Sequence, residues 1–290
     1  MTLREFINDC IERLAPLYPA PEAKAIAFRL LEHYTDIPSY KFISEPDFVI
    51  PGLTRNLDTP LRSALDELAT GRPLQYVLGV TEFCGHRFKV GEGCLIPRPE
   101  TEELVARIIE DLDASVIPGL TRNLGEEPFN ILDLCTGSGC IAWSLAAEFP
   151  EAMVYGCDLS DAALRYACKQ RVKVGGAKPI FFSADVLAAP PAGLPSFDVI
   201  VSNPPYICES ERAAMRPNVV DFEPAEALFV PDDDPLRFYR AIARWADALL
   251  RPDGHLYLEI NERFGPDVAA LFPGSRVIPD LSGRDRFVIR

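Results

Sequence analysis

The sequence predicts an α/β protein in which a small helical domain precedes a mostly parallel, seven-stranded sheet. From about residue 98 onward, short apolar runs alternate with stretches of helical periodicity, which is typical of βαβ units with helices on both faces of a sheet. Before residue 75, apolar residues recur at helical spacing instead. A chain of 290 residues is long enough for one large domain and one smaller domain.

Composition and charge exclude several classes of protein. Hydrophobic residues make up 48% of the chain, and no apolar run approaches the roughly 18 residues that a membrane span needs. The eight cysteines form no Cys-x-x-Cys pair and only three histidines are present, so we expect no metal site and a cytoplasmic protein with reduced thiols. A net charge of -14 argues against stable nucleic-acid binding, because phosphate contacts normally need a basic face.

The helical domain is predicted over residues 1–75, and it carries no motif with obvious chemistry. We therefore expect it to serve partner recognition. Its third helix should start after Thr59 and end at Gly71, a plausible pair of caps. A linker over residues 76–97 follows, because QYVLGVTEFCGHRFKV alternates and holds aromatic residues as a hairpin does. The three helical segments are LREFINDCIERL, PEAKAIAFRLLEHY and TPLRSALDELATG.

The second domain is predicted over residues 98–290. A helix should start near Pro99, and the strands that follow should form the sheet. Only about four residues, SGRD, join the last two strands. That is too short for a parallel crossover, so we expect the final strand to be antiparallel. The strand segments are FNILDLC, MVYGCDL, PIFFSADV, FDVIVSN, GHLYLEI, SRVIPDL and RFVIR.

The nonapeptide VIPGLTRNL occurs twice, at residues 49–57 and 116–124. One pair of copies does not make a solenoid. Each copy holds Pro-Gly and falls between predicted elements, so we interpret both as inserted surface loops. Deleting both copies is expected to leave activity largely intact.

A glycine-rich turn joins the first strand of the sheet to a helix. Gly137 and Gly139 allow the backbone to approach a ligand closely, and Asp158 ends the next strand, where a carboxylate can bind ribose hydroxyls. This pattern also satisfies a dinucleotide fingerprint. Asp133, placed to meet an ammonium group, and Asp185, placed to read an adenine amino group, favour a different nucleoside cofactor.

The residues Asn203-Pro204-Pro205-Tyr206 follow the fourth strand, whose carboxyl end opens beside the cofactor loop. Two prolines stiffen the turn and remove two N–H donors, so the turn presents acceptors, namely the Asn203 side-chain oxygen and the Pro204 carbonyl. A planar NH2 group fits these acceptors, and Tyr206 offers it an aromatic wall. Positioning of such a poor nucleophile can contribute about 7–11 kcal/mol.

These motifs resemble those of the HemK/PrmC glutamine N5-methyltransferases, which methylate the glutamine of the Gly-Gly-Gln motif in class-1 peptide chain release factors. The resemblance extends over nearly the whole chain. It implies a class I, Rossmann-like methyltransferase fold, S-adenosyl-L-methionine as cofactor and a release factor as partner. We also expect a monomer. Besides Asn-Pro-Pro-Tyr, the matching segments are GRPLQYVLG (71–79), LIPRPETEEL (95–104), DLCTGSGCIA (133–142), FEPAEAL (222–228) and DLSGRDR (280–286).

The same resemblance assigns roles to individual residues. Asp158 is expected to hold the ribose, and Asp185 with Val186 to frame the adenine. Asn203 is expected to contact both cofactor and substrate, the latter together with Pro204, Pro205 and Tyr206, and catalysis would depend on Asn203 and Pro204. Cys135 stands where a glycine is common. The remaining cofactor contacts would come from Arg98, Thr101, Glu102, Asp133, Cys135, Thr136, Gly137, Ser138 and Gly139.

Three rival functions share part of this pattern. A ribosomal-protein glutamine methyltransferase would use the same chemistry. A DNA adenine-N6 methyltransferase would share Asn-Pro-Pro-Tyr but should add a basic target-recognition region, which the sequence lacks. A nicotinamide dehydrogenase would leave Asn-Pro-Pro-Tyr unexplained. The release-factor enzyme is therefore the favoured interpretation.

Overall fold

The computed structural model describes residues 1–52, 59–114 and 128–290. The chain divides into two compact units. The helical unit comprises Met1–Gly79 with Arg216–Phe222, and the sheet unit comprises Val80–Met215 with Glu223–Arg290. None of the described helices combines the length and the apolar character that crossing a membrane requires.

The described helices and strands are numbered in chain order. The α-helices are α1 (Leu3–Leu14), α2 (Ala20–Tyr34), α3 (Lys41–Ser44), α4 (Pro60–Ala69), α5 (Leu74–Leu78), α6 (Pro99–Ala114), α7 (Cys140–Glu148), α8 (Asp161–Ala167), α9 (Pro217–Val220), α10 (Arg237–Leu249) and α11 (Gly265–Ala270). The strands are β1 (Val80–Phe83), β2 (His86–Lys89), β3 (Phe129–Leu134), β4 (Ala152–Asp158), β5 (Ile180–Ser183), β6 (Phe197–Ser202), β7 (Ile207–Cys208), β8 (Phe229–Val230), β9 (Leu250–Glu259), β10 (Arg276–Pro279) and β11 (Asp285–Ile289).

The helical unit contains α1–α5 and α9, so the helical character predicted for the start of the chain is confirmed. A capping box starts α1: the Thr2 hydroxyl accepts from the Glu5 N–H, and the Glu5 carboxylate accepts from the Thr2 N–H. Thr59 caps α4 as the sequence predicts, through its hydroxyl. The apolar faces of α1, α2 and α4 enclose one core, whose fully buried members include Leu14, Leu30 and Leu65.

The prediction of a hairpin for QYVLGVTEFCGHRFKV is wrong in its first part. Residues 74–78 form the helix α5, which starts after Pro73 and ends at Gly79. Gly79 adopts φ 67°, a left-handed conformation that closes a helix readily because glycine has no Cβ. The hairpin begins only at β1, which pairs antiparallel with β2.

The first copy of VIPGLTRNL begins between α3 and α4, outside any named helix or strand as expected for a loop, but its start is not wholly at the surface. Val49 pairs with Thr2 in an isolated antiparallel bridge, and the Ile50 side chain is buried in the helical core. Burial of an isoleucine side chain is worth about 1.5–3 kcal/mol, which favours this placement over solvent. Gly52 lies in an exposed turn. The rest of this copy and the whole second copy lie outside the described residues.

The sheet unit contains a seven-stranded sheet in the order β10-β11-β9-β6-β3-β4-β5. The strands β5, β4, β3, β6 and β9 are parallel to one another. The last strand, β11, is antiparallel to both β9 and β10, so the prediction for it is confirmed. The strand order reverses between β3 and β6. In open α/β sheets, ligands bind outside the carboxyl ends of the strands at such a switch point.

Alternation along the strands gives the sheet two apolar faces. Ile131 and Val199 pack on one face in a cluster with residues of α6 and α7, and Leu132 and Ile200 pack on the other in a cluster with residues of α10 and α11. Successive side chains of a strand point to opposite faces, so strands covered on both sides read as continuous apolar runs. This packing fixes the carboxyl ends of β3, β4 and β6 in one row.

Candidate active site

The loop after β3 has the backbone that its sequence requires. Cys135, Gly137 and Gly139 adopt φ of 59°, 55° and 77°, so three residues of the loop are left-handed. Glycine reaches this region without strain, whereas Cys135 is one of only two non-glycine residues in the described chain that do so. Gly139 caps α7, whose first turn follows at Cys140. The loop therefore exposes backbone next to a helix N-terminus, which suits a polar or anionic ligand group.

Asp158 at the end of β4 is tied to this loop. Its Oδ2 accepts from the Gly137 N–H at 2.8 Å, and its Oδ1 accepts from the Ser160 N–H at 2.9 Å. Burial raises the pKa of Asp158, opposed by these backbone hydrogen bonds. Each carboxylate oxygen keeps a further lone pair for a ligand hydroxyl.

A cavity of about 400 Å³ opens at the switch point. Seven of the predicted site residues line it, namely Cys135, Gly137, Asp158, Asp185, Val186, Asn203 and Pro205. Other lining residues were not assigned to the site from the sequence. They include Gly93, Leu159, Leu187 and Phe238 and, within the matching segments LIPRPETEEL and FEPAEAL, Leu95, Pro224 and Glu226.

Asp133, Thr136, Ser138 and Gly139 are not among the lining residues of this cavity. Asp133 is fully buried behind the loop, where its Oδ2 accepts from the Thr136 hydroxyl and from the Ala142 N–H. Burial raises its pKa to about 7. Its Oδ1 has no hydrogen-bond partner among the described residues. Asp133 thus fixes the loop from inside, and its contact with a cofactor ammonium remains a prediction.

The residues Arg98, Thr101 and Glu102 do not line the cavity either. Arg98 is committed to a buried acid: its Nη2 lies 2.6 Å from Glu223 Oε1, and Glu223 Oε2 accepts from the Ile96 N–H. Glu223 belongs to the segment whose next residues, Pro224 and Glu226, line the cavity. The expected contact of Arg98 with the cofactor therefore stays a prediction.

The Asn203-Pro204-Pro205-Tyr206 turn sits at the end of β6, next to the loop after β3. Asn203 Nδ2 donates to Thr101 Oγ1 at 3.0 Å, which leaves Oδ1 of the amide for another donor. The Tyr206 hydroxyl donates to Glu259 Oε1 at 2.9 Å. Glu259 is a second buried acid that sequence analysis missed, although it lies in the predicted strand GHLYLEI. The arrangement can hold a planar NH2 group beside the cavity.

Comparison with known proteins decides the family. The model of the methyltransferase small domain matches residues 116–220. A release factor glutamine methyltransferase from Bacteroides thetaiotaomicron is 38% identical over 282 residues, which cover 96% of this chain and 95% of that protein. One from Cereibacter sphaeroides is 40% identical over 296 residues, covering 99% of this chain and 98% of that protein. The chain belongs to the release factor glutamine methyltransferase family.

A solved structure bears the same kind of name. It is the protein-(glutamine-N5) methyltransferase (release factor-specific) from Alicyclobacillus acidocaldarius, 30% identical, with a TM-score of 0.40 over 70% of this chain and 97% of that one. The resemblance inferred from the sequence motifs is confirmed by the near full-length relatives.

The cavity of this family member suits S-adenosyl-L-methionine, the methyl donor of such methyltransferases. Its volume is within the range of about 300–1,000 Å³ that small-ligand sites show. A Cβ added at Gly137 would meet no atom within 4 Å, so it would stand in the cavity itself. Asp158 and Asp185 supply carboxylate acceptors suited to hydroxyl and amino groups, and Val186 and Phe238 offer apolar surface for a flat base. The residues present fit the cofactor.

All eight cysteines of this methyltransferase are free thiols. Burial raises the pKa of Cys84 and Cys94 to about 12 in each case, so these thiols stay protonated at neutral pH. Within the described residues, no group of three or more His, Cys, Asp or Glu side chains is arranged to hold a metal ion.

Proposed function

We propose that this chain transfers a methyl group from S-adenosyl-L-methionine to the side-chain amide nitrogen of the glutamine in the Gly-Gly-Gln motif of class-1 peptide chain release factors. The observation that carries the proposal is the Asn203 amide. Its nitrogen is engaged by Thr101, so its oxygen is the atom left to accept from a substrate NH2 at the edge of the cavity. The near full-length relatives named release factor glutamine methyltransferase supply the substrate class.

The chemical task falls mainly on positioning. The bound cofactor supplies a methyl group activated by a sulfonium. Asn203 Oδ1 and the Pro204 carbonyl accept the two hydrogens of the substrate amide and so hold the nitrogen lone pair at a fixed angle. The Pro204 and Pro205 rings lock the turn, which lowers the entropy lost when the substrate is held. The Pro204 and Pro205 side chains are buried, so the turn excludes water from its own inner side.

Individual cofactor contacts are part of the same proposal. Asp158 binds the ribose hydroxyls, Asp185 and Val186 frame the adenine, and the backbone of Gly137 lies against the cofactor. Cys135 and Asn203 line the same space. Asp133 supports the loop from behind through the Thr136 hydroxyl and the Ala142 N–H. Thr136, Ser138 and Gly139 belong to the loop that is proposed to contact the cofactor.

The helical unit is proposed to recognise the protein substrate. Two large apolar side chains are exposed at α3: Tyr40, just before the helix, is 63% exposed, and Ile43, within it, is 74% exposed. Clustered exposed apolar side chains mark protein contact sites more often than isolated ones do. Ile43→Ser should raise the KM for the release factor and leave kcat unchanged. Leu281→Ser, at an 88% exposed position in the sheet unit, is the matched control and should change neither.

Transfer of a labelled methyl group tests the function directly. The full-length chain is incubated with labelled S-adenosyl-L-methionine and, separately, with a purified release factor, with its Gly-Gly-Gln to Gly-Gly-Ala variant, with ribosomal proteins and with duplex DNA. Label should enter only the unaltered release factor. Label in ribosomal protein or in DNA instead would assign the chain to one of the rival functions. Equal labelling of the Gln-to-Ala variant would place the methyl group on another residue.

A further inference from the structure

Glu259 lies at the end of β9, beside the strand that carries the Asn-Pro-Pro-Tyr turn. Its residue neighbour Leu258 pairs with Ser202 across the parallel ladder, so β6 and β9 bring Glu259 close to Asn203. Glu259 is 1% exposed and is not a lining residue of the cavity. Burying a carboxylate costs desolvation free energy, which hydrogen-bond partners must offset, and Glu259 has such partners.

Two hydroxyls point at this carboxylate. Thr101 Oγ1 donates to Glu259 Oε2 at 2.7 Å, and the Tyr206 hydroxyl donates to Glu259 Oε1 at 2.9 Å. Burial raises the pKa of Glu259, while these two hydroxyls and Arg286 favour its ionised form. Thr101 is the donor in its hydrogen bond to Glu259 Oε2, so its single hydroxyl proton is spent there.

The direction of the next hydrogen bond follows from that proton. Thr101 Oγ1 has only lone pairs left for its other neighbour, the Asn203 amide, which lies 3.0 Å away. Asn203 must therefore present its NH2 to Thr101. With the amide turned round, two oxygens would face each other with no proton between them.

We propose that Glu259 is a positioning residue: through Thr101 it fixes the orientation of the Asn203 amide, so that Oδ1 always faces the substrate. The claim rests on the proposed function for the identity of the substrate, and on the hydrogen bonds alone for the orientation. It also assigns Thr101 a role different from the cofactor contact expected from the sequence.

Substitution of Thr101 separates these two roles. Thr101→Val keeps the shape and removes the hydroxyl, and Thr101→Ser keeps the hydroxyl. We expect Thr101→Val to lower kcat on the release factor roughly 10- to 100-fold, as misplacement of a positioning group does, and Thr101→Ser to stay near wild type. Binding of S-adenosylhomocysteine, measured by calorimetry, should be unchanged in both. Unchanged kcat in Thr101→Val, equal impairment by serine, or a loss confined to cofactor affinity would each overturn the proposal.

A double-mutant cycle ties Glu259 to the same path. Glu259→Gln places a donor where both neighbours are donors, so it should lower kcat as well. If Glu259 acts through Thr101, the Thr101→Val/Glu259→Gln variant should be no worse than the poorer single variant. Losses that multiply, or a fully active Glu259→Gln enzyme, would refute the coupling. Melting temperatures of all variants separate these effects from unfolding.

A measurement without substrate keeps the two proposals distinguishable. In the isotope-labelled wild-type chain, nuclear Overhauser contacts should join the Asn203 side-chain amide protons to the Thr101 methyl group. Their absence would overturn the orientation even in an enzyme that methylates release factors. Their presence in a chain that labels no release factor would leave the orientation standing and refute the proposed function.

Discussion

The Asp158 carboxylate holds the backbone N–H of Gly137, with Oδ2 and N 2.8 Å apart. Asp158 ends β4 and Gly137 follows β3, the parallel neighbour of β4, so the sheet itself brings the two residues together. One hydrogen bond thus joins the residue proposed to bind the ribose to the loop proposed to lie along the cofactor. Loop geometry and cofactor affinity should respond together when this carboxylate is removed.

Removal of the Asp158 carboxylate should weaken cofactor binding. We expect Asp158→Ala to raise the Kd for S-adenosylhomocysteine by at least about tenfold, since one or two hydrogen bonds to a charged group are worth about 1.5–3 kcal/mol each. Asp161→Ala is the matched control, because Asp161 is an exposed acid at the start of α8 and does not line the cavity. Calorimetric titration of both variants decides the question. An unaltered Kd for Asp158→Ala would remove the ribose contact from the proposal.

Alanine substitutions at the two glycines of the loop, Gly137 and Gly139, should impair the protein for different reasons. A Cβ at Gly137 would meet no protein atom within 4 Å, so Gly137→Ala should mainly weaken cofactor binding, with about 1–2 kcal/mol of backbone strain at φ 55°. A Cβ at Gly139 would lie 3.0 Å from Phe181 and 3.1 Å from Ala167 and Trp143. Gly139→Ala should therefore lose more stability than Gly137→Ala.

Chemical denaturation and calorimetry measure these two effects separately. Gly139→Ala should show the larger loss in free energy of unfolding. Gly137→Ala should show the larger loss in cofactor affinity when each loss is divided by the loss in free energy of unfolding of the same variant. The reverse ranking in both measurements would contradict the placement of Gly137 against the cavity.

Much of the fold was predictable because the sheet is covered on both faces. Continuous apolar runs such as FDVIVS mark buried parallel strands, and the short SGRD connection fixes the direction of the last one. The helix α5 was not predictable from alternation, because a five-residue helix shows no full period. The burial of Ile50 was not predictable either, because Pro51-Gly52 marks a turn but does not indicate which side chain beside the turn is buried.

The candidate site was predictable where the local sequence places a polar residue at the end of a strand. Asp158, Asp185 and Asn203 each follow a strand, so their convergence at the switch point follows from the topology. Glu223 and Glu259 were missed because a glutamate in a strand or loop ordinarily faces solvent, and only the tertiary structure shows that both are buried and hydrogen-bonded. The same tertiary contacts give Arg98 and Thr101 partners inside the protein, and their expected contacts with the cofactor stay predictions.

Loss of the Asn203 side chain should abolish turnover and spare cofactor binding. Asn203→Ala removes the acceptor for the substrate amide, and the positioning at stake is worth several of the about 7–11 kcal/mol that alignment can provide. We expect no detectable methyl transfer to the release factor. The Kd for S-adenosylhomocysteine should stay within about twofold of wild type, which is less than about 0.5 kcal/mol in binding free energy because a tenfold change is worth about 1.4 kcal/mol. Single-turnover transfer and calorimetry provide the two numbers. Parallel loss of both would show that Asn203 mainly supports the cofactor.

The buried Asp133 should make stability depend on pH in a definite direction. Burial raises its pKa from 3.8 to about 7 in the folded chain. At a pH between 3.8 and about 7, Asp133 is protonated in the native state but has released its proton in the unfolded state. The contribution of protonated Asp133 to the free energy of unfolding is therefore complete below pH 3.8 and is lost as the pH rises through about 7.

Asp133→Asn cannot ionise and should escape this loss. The free energy of unfolding of the variant minus that of wild type should rise with pH up to about 7 and then level off, by on the order of 4 kcal/mol in total. Urea unfolding at a series of pH values from 5 to 8 covers the upper part of the rise. Asp158 and Glu259 are present in both proteins, so most of their own contribution cancels in the difference. A flat difference for Asp133→Asn would mean that Asp133 is already ionised throughout, held by the hydrogen bonds from Thr136 and Ala142.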